Sequence, residues 1–148
     1  MTRKGLAGLF AVAFTAVVAV QAGRLDAQKS ASQSLGTVRI PKAVTANGQP
    51  LAAGTYTVRI SDAPVTPVVG QSTEGSQWVE FVQGGQVKGK ELATVLSGAD
   101  VGKVVKGRAP ASGASKTEML KGNDFLRVWL NHAGTHYLIH FQTTPTGQ

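Results

Sequence analysis

The stretch FLRVWLNHAGTHYLIHF, residues 125–141, alternates apolar and polar side chains on either side of Ala133-Gly134 and decides the fold. Read as two strands around a two-residue turn, it places Leu130 opposite Tyr137, Val128 opposite Ile139 and Leu126 opposite Phe141. A third strand, expected at 118–121 and joined by Gly122-Asn123, sets Lys121 opposite Asp124 and Glu118 opposite Arg127, two pairs of opposite charge. These registers gather Met119, Leu126, Val128, Leu130, Tyr137, Ile139 and Phe141 on one apolar face, which is the expected core. A type I turn with a glycine bulge over 131–134 is the rival: it slips the last pairing by one and brings the aromatic residues of the two strands together. Ala133 resists the positive φ of the two-residue turn, but the hydrophobic pattern favours that turn.

Upstream, the same device recurs. Residues 37–40 alternate, Pro41 interrupts, and 43–45 resume before Asn47-Gly48, which predicts a strand bent at a proline near a sheet edge. A proline-stiffened connector follows that turn, and a glycine at 54 launches a strand with Tyr56, Val58 and Ile60 on one face. Residues 78–82 and 87–95 read as a hairpin about Gly84-Gly85, with Val82 opposite Val87 and Val79 opposite Lys90. Glycines at 98, 102, 107 and 113 and Pro110 punctuate a segment carrying Lys103, Lys106 and Arg108, so 98–115 is expected to be a long, mobile, basic loop. The expected architecture is all-β: a single antiparallel sandwich or Greek-key barrel of about seven strands.

Leu51-Ala52-Ala53-Gly54-Thr55-Tyr56 resembles the tyrosine-corner pattern of Greek-key sandwiches, in which a tyrosine hydroxyl bonds back to nearby backbone. The string is also similar to one in small secreted bacterial β-domains of unknown function and in transthyretin-like modules. The resemblance covers about ten residues. It implies structural roles for Leu51, Gly54 and Tyr56, and no activity.

The amino terminus reads as an address. Arg3 and Lys4 precede an apolar run from Leu6 to Val20, followed by Val20-Gln21-Ala22 and Leu25-Asp26-Ala27, which is a secretory signal peptide over 1–27 with cleavage after Ala22 or Ala27. A flexible tether at 28–35 and one β domain at 36–144 follow. The expected location is the periplasm or the exterior, with no integral membrane span in the mature chain. The formal charge of +7 falls by two when Arg3 and Lys4 are lost, and Arg24 and Asp26 cancel. The chain contains no cysteine, which excludes disulfides, thiolate metal sites and lipid attachment on cysteine. An exported domain of this kind depends on its core alone.

Motifs for chemistry are thin. Gly84 to Lys90 spells Gly-x-x-x-x-Gly-Lys, but Glu91 stands where a P-loop needs a hydroxyl, and strands flank it. Gly70 to Gly75 misses the Gly-x-Ser-x-Gly elbow by one residue. His132, His136 and His140 are spaced by four, and on a strand His136 and His140 share a face about 13 Å apart, too far for one ion. Asn131 lies opposite His136 and Arg127 opposite His140, and arginine is no ligand. No metal or cofactor is therefore expected.

The face turned away from the core carries Phe125, Arg127, Trp129, His136, Leu138 and His140, bordered by Lys116 and Glu118. It suits a sugar ring, a peptide or another protein surface, unless the 98–115 loop or the tether covers it. The expectation is an exported, non-enzymatic binding or structural module whose partner is a cell-envelope glycan or another protein, with no nucleic acid. A histidine-dependent hydrolase or metalloenzyme using His136 or His140 is one alternative. Weak polyanion binding through Lys103, Lys106 and Arg108 is the other.

Overall fold

A computed structural model describes residues 32–66 and 74–144 of the chain. The expected leader, residues 28–31 of the tether and the first four residues of the elbow-like stretch lie outside the described residues. Among the described residues, nine strands form one antiparallel sheet: β1 (Ser34–Ile40), β2 (Val44–Ala46), β3 (Gln49–Leu51), β4 (Gly54–Ile60), β5 (Ser76–Gln83), β6 (Gln86–Ser97), β7 (Ser115–Met119), β8 (Phe125–His132) and β9 (Thr135–Thr143). A short helix, α1 (Gly98–Val104), separates β6 from β7. No helix among the described residues is long and apolar enough to cross a membrane.

Seven strands follow the path β1-β4-β5-β6-β9-β8-β7 and curl into a nearly closed barrel. At the seam the β1 and β7 edges meet through side chains: Ser115 Oγ donates to the Thr37 carbonyl at 2.8 Å and Thr117 Oγ1 to that of Arg39 at 3.1 Å. Pro41 marks the place where the chain leaves β1, whose partner is β4, for β2, whose partners are β3 and β9. A residue with no N–H suits that break between ladders. The β2–β3 hairpin packs into one end of the barrel, burying Val44, Ala46 and Leu51. Its tip is tied to β6 where the Asn47 N–H donates to the Glu91 carboxylate at 2.6 Å. Gly89 lets the plug seat, since a Cβ there would stand 3.0 Å from a Leu51 methyl.

The final hairpin has the two-residue turn. Leu130 pairs with Tyr137, Val128 with Ile139 and Leu126 with Phe141, while Ala133 and Gly134 take φ of 51° and 85°. All six paired side chains are buried, together with Val38, Ile40, Val58, Val79 and Phe81 from the opposite wall. Glu118 pairs with Arg127 as expected. Met119, expected in the core, is 36% exposed: it ends β7, beyond the last seam bond, where β1 no longer covers it.

Four further expectations are corrected. The β5–β6 hairpin turns at Gly84-Gly85 with Val82 opposite Val87, but a bulge then shifts the register, so Val79 faces Glu91 and not Lys90. The shift keeps Lys88 and Lys90 off the core face and turns Gly89 and Ala93 inward. Ser34 and Leu35, placed in the tether, belong to β1, where Leu35 is buried. Gln49–Leu51, read as connector, forms the short strand β3. The segment 98–115 is not an open loop: it holds α1, and Asn131 ties its far end through Nδ2 to the Pro110 carbonyl at 2.9 Å and through its carbonyl to the Gly113 N–H at 2.7 Å.

The corner is formed as well. Tyr56 is buried edge-on to Phe81, and its hydroxyl donates to the Ala52 carbonyl at 2.7 Å. Burial raises its pKa, which keeps the hydroxyl a donor.

Two stability measurements test these assignments. Tyr56→Phe is expected to cost about 1–2 kcal/mol in chemical denaturation, and an unchanged midpoint would remove the corner from the account. Ala133→Asn, which supplies the residue preferred at positive φ before a glycine, is expected to gain about 1 kcal/mol. A loss on that substitution would show that the turn is of another type.

Candidate functional site

Alternation along β8 and β9 sends Phe125, Arg127 and Trp129 outward beside Gln142, His140 and Leu138. Helix α1 then divides this outer face in two. Val101 and Val105 lie over Trp129 and Leu138, with Leu96 and Ala109 at the margin, forming a second small core on the barrel's exterior. Trp129 is 0% exposed, so it is packing and not an open platform.

The local reason is legible in α1. Ser97 caps it by accepting the Asp100 N–H at 3.2 Å and donates its own hydroxyl to the Asp100 carboxylate at 2.6 Å. Lys103, one of the expected basic-loop residues, is paired to Asp100 at 2.8 Å, while Lys106 and Arg108 are exposed beyond the helix. Asp100 is held below the usual carboxylate range by the hydrogen bonds from Lys103 and Ser97 and by the lysine charge.

Under the helix, Trp129 Nε1–H donates to His136 Nδ1 at 3.0 Å, and His136 is itself buried. That ring is therefore neutral with its proton on Nε2. His140 stands apart from it on the exposed part of the face, opposite Arg127. His132 lies at the turn, with Nε2 3.0 Å from the Gln33 amide nitrogen. Among the described residues no group of three or more His, Asp or Glu is placed to hold a metal.

The uncovered half of the face runs as a row across five strands. Trp78 on β5 pairs with Leu92 on β6; His140 is the next position beyond the Ala93–Ile139 pair and so adjoins Leu92; Arg127 and Glu118 continue the row on β8 and β7. With strands about 4.8 Å apart, the row spans about 19 Å. Lys90 Nζ stands 4.9 Å from the Trp78 ring centroid, and Phe125, 45% exposed, flanks Arg127. Glu118 accepts from Arg127 through both Nε and the terminal guanidinium nitrogen, and from Lys116 at 3.0 Å. Burial raises the Glu118 carboxyl, but these two cations outweigh it and hold it below its ordinary value. Partial desolvation, with the Arg127 charge added, lowers the His140 pKa.

Trp78 belongs to this row, although the expected site did not include it. Its outward position follows from alternation with Val79 and Phe81, both buried. At the end of the row, a groove of about 430 Å³ lined by Lys42, Asn123, Asp124, Gln142 and Thr143 lies at the β7–β8 turn, next to Phe125, which pairs with Gln142. Comparison of the chain with models of known protein families, with curated proteins and with solved structures found no match.

In a Trp78→Phe chain, Trp129 is the sole tryptophan, and near neutral pH its emission is expected to resist acrylamide. Ready quenching there would show that α1 does not cover the indole.

Proposed function

We propose that this chain is an exported, non-catalytic β module that binds an anionic glycan of the cell envelope on the exterior row from Trp78 to Arg127. The carrying observation is the exposed Phe125 beside Arg127 and His140, on a face that α1 leaves open. Half-exposed Trp78 and exposed Phe125 offer apolar ring faces to pyranose rings, and Lys90 and His140 offer donors to carboxylates or phosphates, beside the Arg127 guanidinium that Glu118 holds. From Trp78 to Arg127 the row crosses four strands at about 4.8 Å spacing, about 14 Å in all, which matches an extended chain of a few sugars. The formal charge of +7, which stays positive after the loss of Arg3 and Lys4, has the complementary sign. The apolar amino-terminal run behind Arg3 and Lys4 supports delivery to the periplasm or exterior.

Among the described residues the barrel interior is lined by one apolar cluster, which offers an anionic ligand no charged partner. Binding on the outside is thus a matter of surface contact, and its strength comes from a few anchors.

Titration of polygalacturonate into the protein, followed by calorimetry, tests the reading. The expected result is saturable binding that weakens as salt rises and that falls about tenfold on Phe125→Ala or His140→Ala, with unchanged unfolding midpoints. Neutral dextran is expected not to bind. Binding that ignores both substitutions, or no binding of the acidic polymer, would overturn the assignment.

A further inference from the structure

Helix α1 is laid over the outside of the barrel, and the bond beneath it, from Trp129 Nε1–H to His136 Nδ1, exists only while that nitrogen carries no proton. We propose that α1 is an acid-released strap: protonation of His136 breaks the indole bond, lifts the helix and uncovers Trp129 and Leu138.

The geometry makes protonation incompatible with closure. His136 is 4% exposed and faces Leu96 on β6 and Asn131 on β8 across their ladders, with Gly98 of α1 over it, close enough that a Cβ at Gly98 would stand 3.9 Å from Nε2. An imidazolium has a donor on both nitrogens, so Nδ1–H would meet the indole N–H donor to donor. Buried donors without acceptors are costly, and opening the strap returns both to water.

The surrounding charges give no relief. On β7 and β8, Lys116 Nζ and Arg127 Cζ stand 5.9 and 6.0 Å from the Trp129 ring centroid, and the carboxylate between them, Glu118, already accepts from both. On α1 the carboxylate of Asp100 is taken by Lys103 and Ser97. Lys106 and Arg108 follow the helix, His140 is the other histidine on the outer side of the β8–β9 hairpin, and His132 stands at the turn with the parity of the core side, against Gln33. Glu118, beside the Trp129 ring, and Asp100, on α1, are thus both already engaged by cations.

The strap is also weakly held. Seven residues are too few for a helix that stands alone, and this one contains Gly98 and Gly102. Its burial rests on Val101 and Val105, whose cluster is separate from the barrel core. A proton on Nδ1 requires the indole bond to open, so acid favours the open strap while the barrel core, a separate cluster, persists.

The test uses the full Trp78→Phe chain, free of glycan, with acrylamide quenching of Trp129 followed between about pH 8 and about pH 5, the range in which imidazoles titrate. The quenching constant is expected to rise several-fold as pH falls. His136→Gln, which keeps an acceptor for the indole and cannot titrate there, is expected to abolish the rise; His132→Gln and His140→Gln are expected to retain it. Should His136→Gln not fold, hydrogen exchange on the Trp78→Phe chain decides: protection of the Asp100 and Val105 amides is expected to fall with pH while the β8–β9 ladder keeps its protection. A flat quenching profile, a rise that survives His136→Gln or vanishes with either other histidine, or joint loss of protection in helix and ladder would overturn the proposal.

Discussion

The register of β8 against β9 is the constraint on which the rest of the structure depends. Side chains on a strand alternate faces, so a slip of one residue would exchange the two faces of one strand. With the turn at Ala133-Gly134, Leu126, Val128 and Leu130 meet Phe141, Ile139 and Tyr137 inside, and Arg127 and Trp129 meet His140 and Leu138 outside. The turn requires Ala133 at a φ of 51°, a conformation that costs an L-residue about 1–2 kcal/mol. Three buried cross-strand pairs outweigh that local cost, because each apolar side chain buried contributes about 1.5–3 kcal/mol.

The other strands complete the enclosure that this hairpin begins. β9 pairs with β6 along its first half and with β2 at its end, so one strand supports both the barrel wall and the plug. The seam between β1 and β7 closes through two hydroxyls and not a ladder, which lets a sheet with free edges behave almost as a barrel. On the outside, the same alternation produces two territories of different kinds. One is apolar and covered by α1; the other is mixed, cationic and open.

Much of this was legible because period-two patterning and turn pairs are local signals. The final hairpin, the Glu118–Arg127 pairing and the Gly84-Gly85 turn all follow from them. What escaped depends on information that is not local. The β6 bulge is decided by which register keeps Lys88 and Lys90 out of the core, a question the isolated hairpin does not pose. Helix α1 did leave a signal, the Ser97-x-x-Asp100 cap followed by valines at 101, 104 and 105, but glycines at 98 and 102 masked it. The candidate face was legible by parity, whereas its division into buried Trp129 and exposed His140 depends on where α1 lies. Trp78 joins the row only because β5, β6 and β9 are neighbours, a fact of topology.

The measurement that reaches the centre of the account is the set of cross-strand nuclear Overhauser contacts in the β8–β9 hairpin. Backbone contacts linking Trp129 with Leu138 and Leu130 with Tyr137 are the expected result. Contacts linking Trp129 with Tyr137, the pairing of a register slipped by one, would contradict it, and with it the core, the covered indole and the open row.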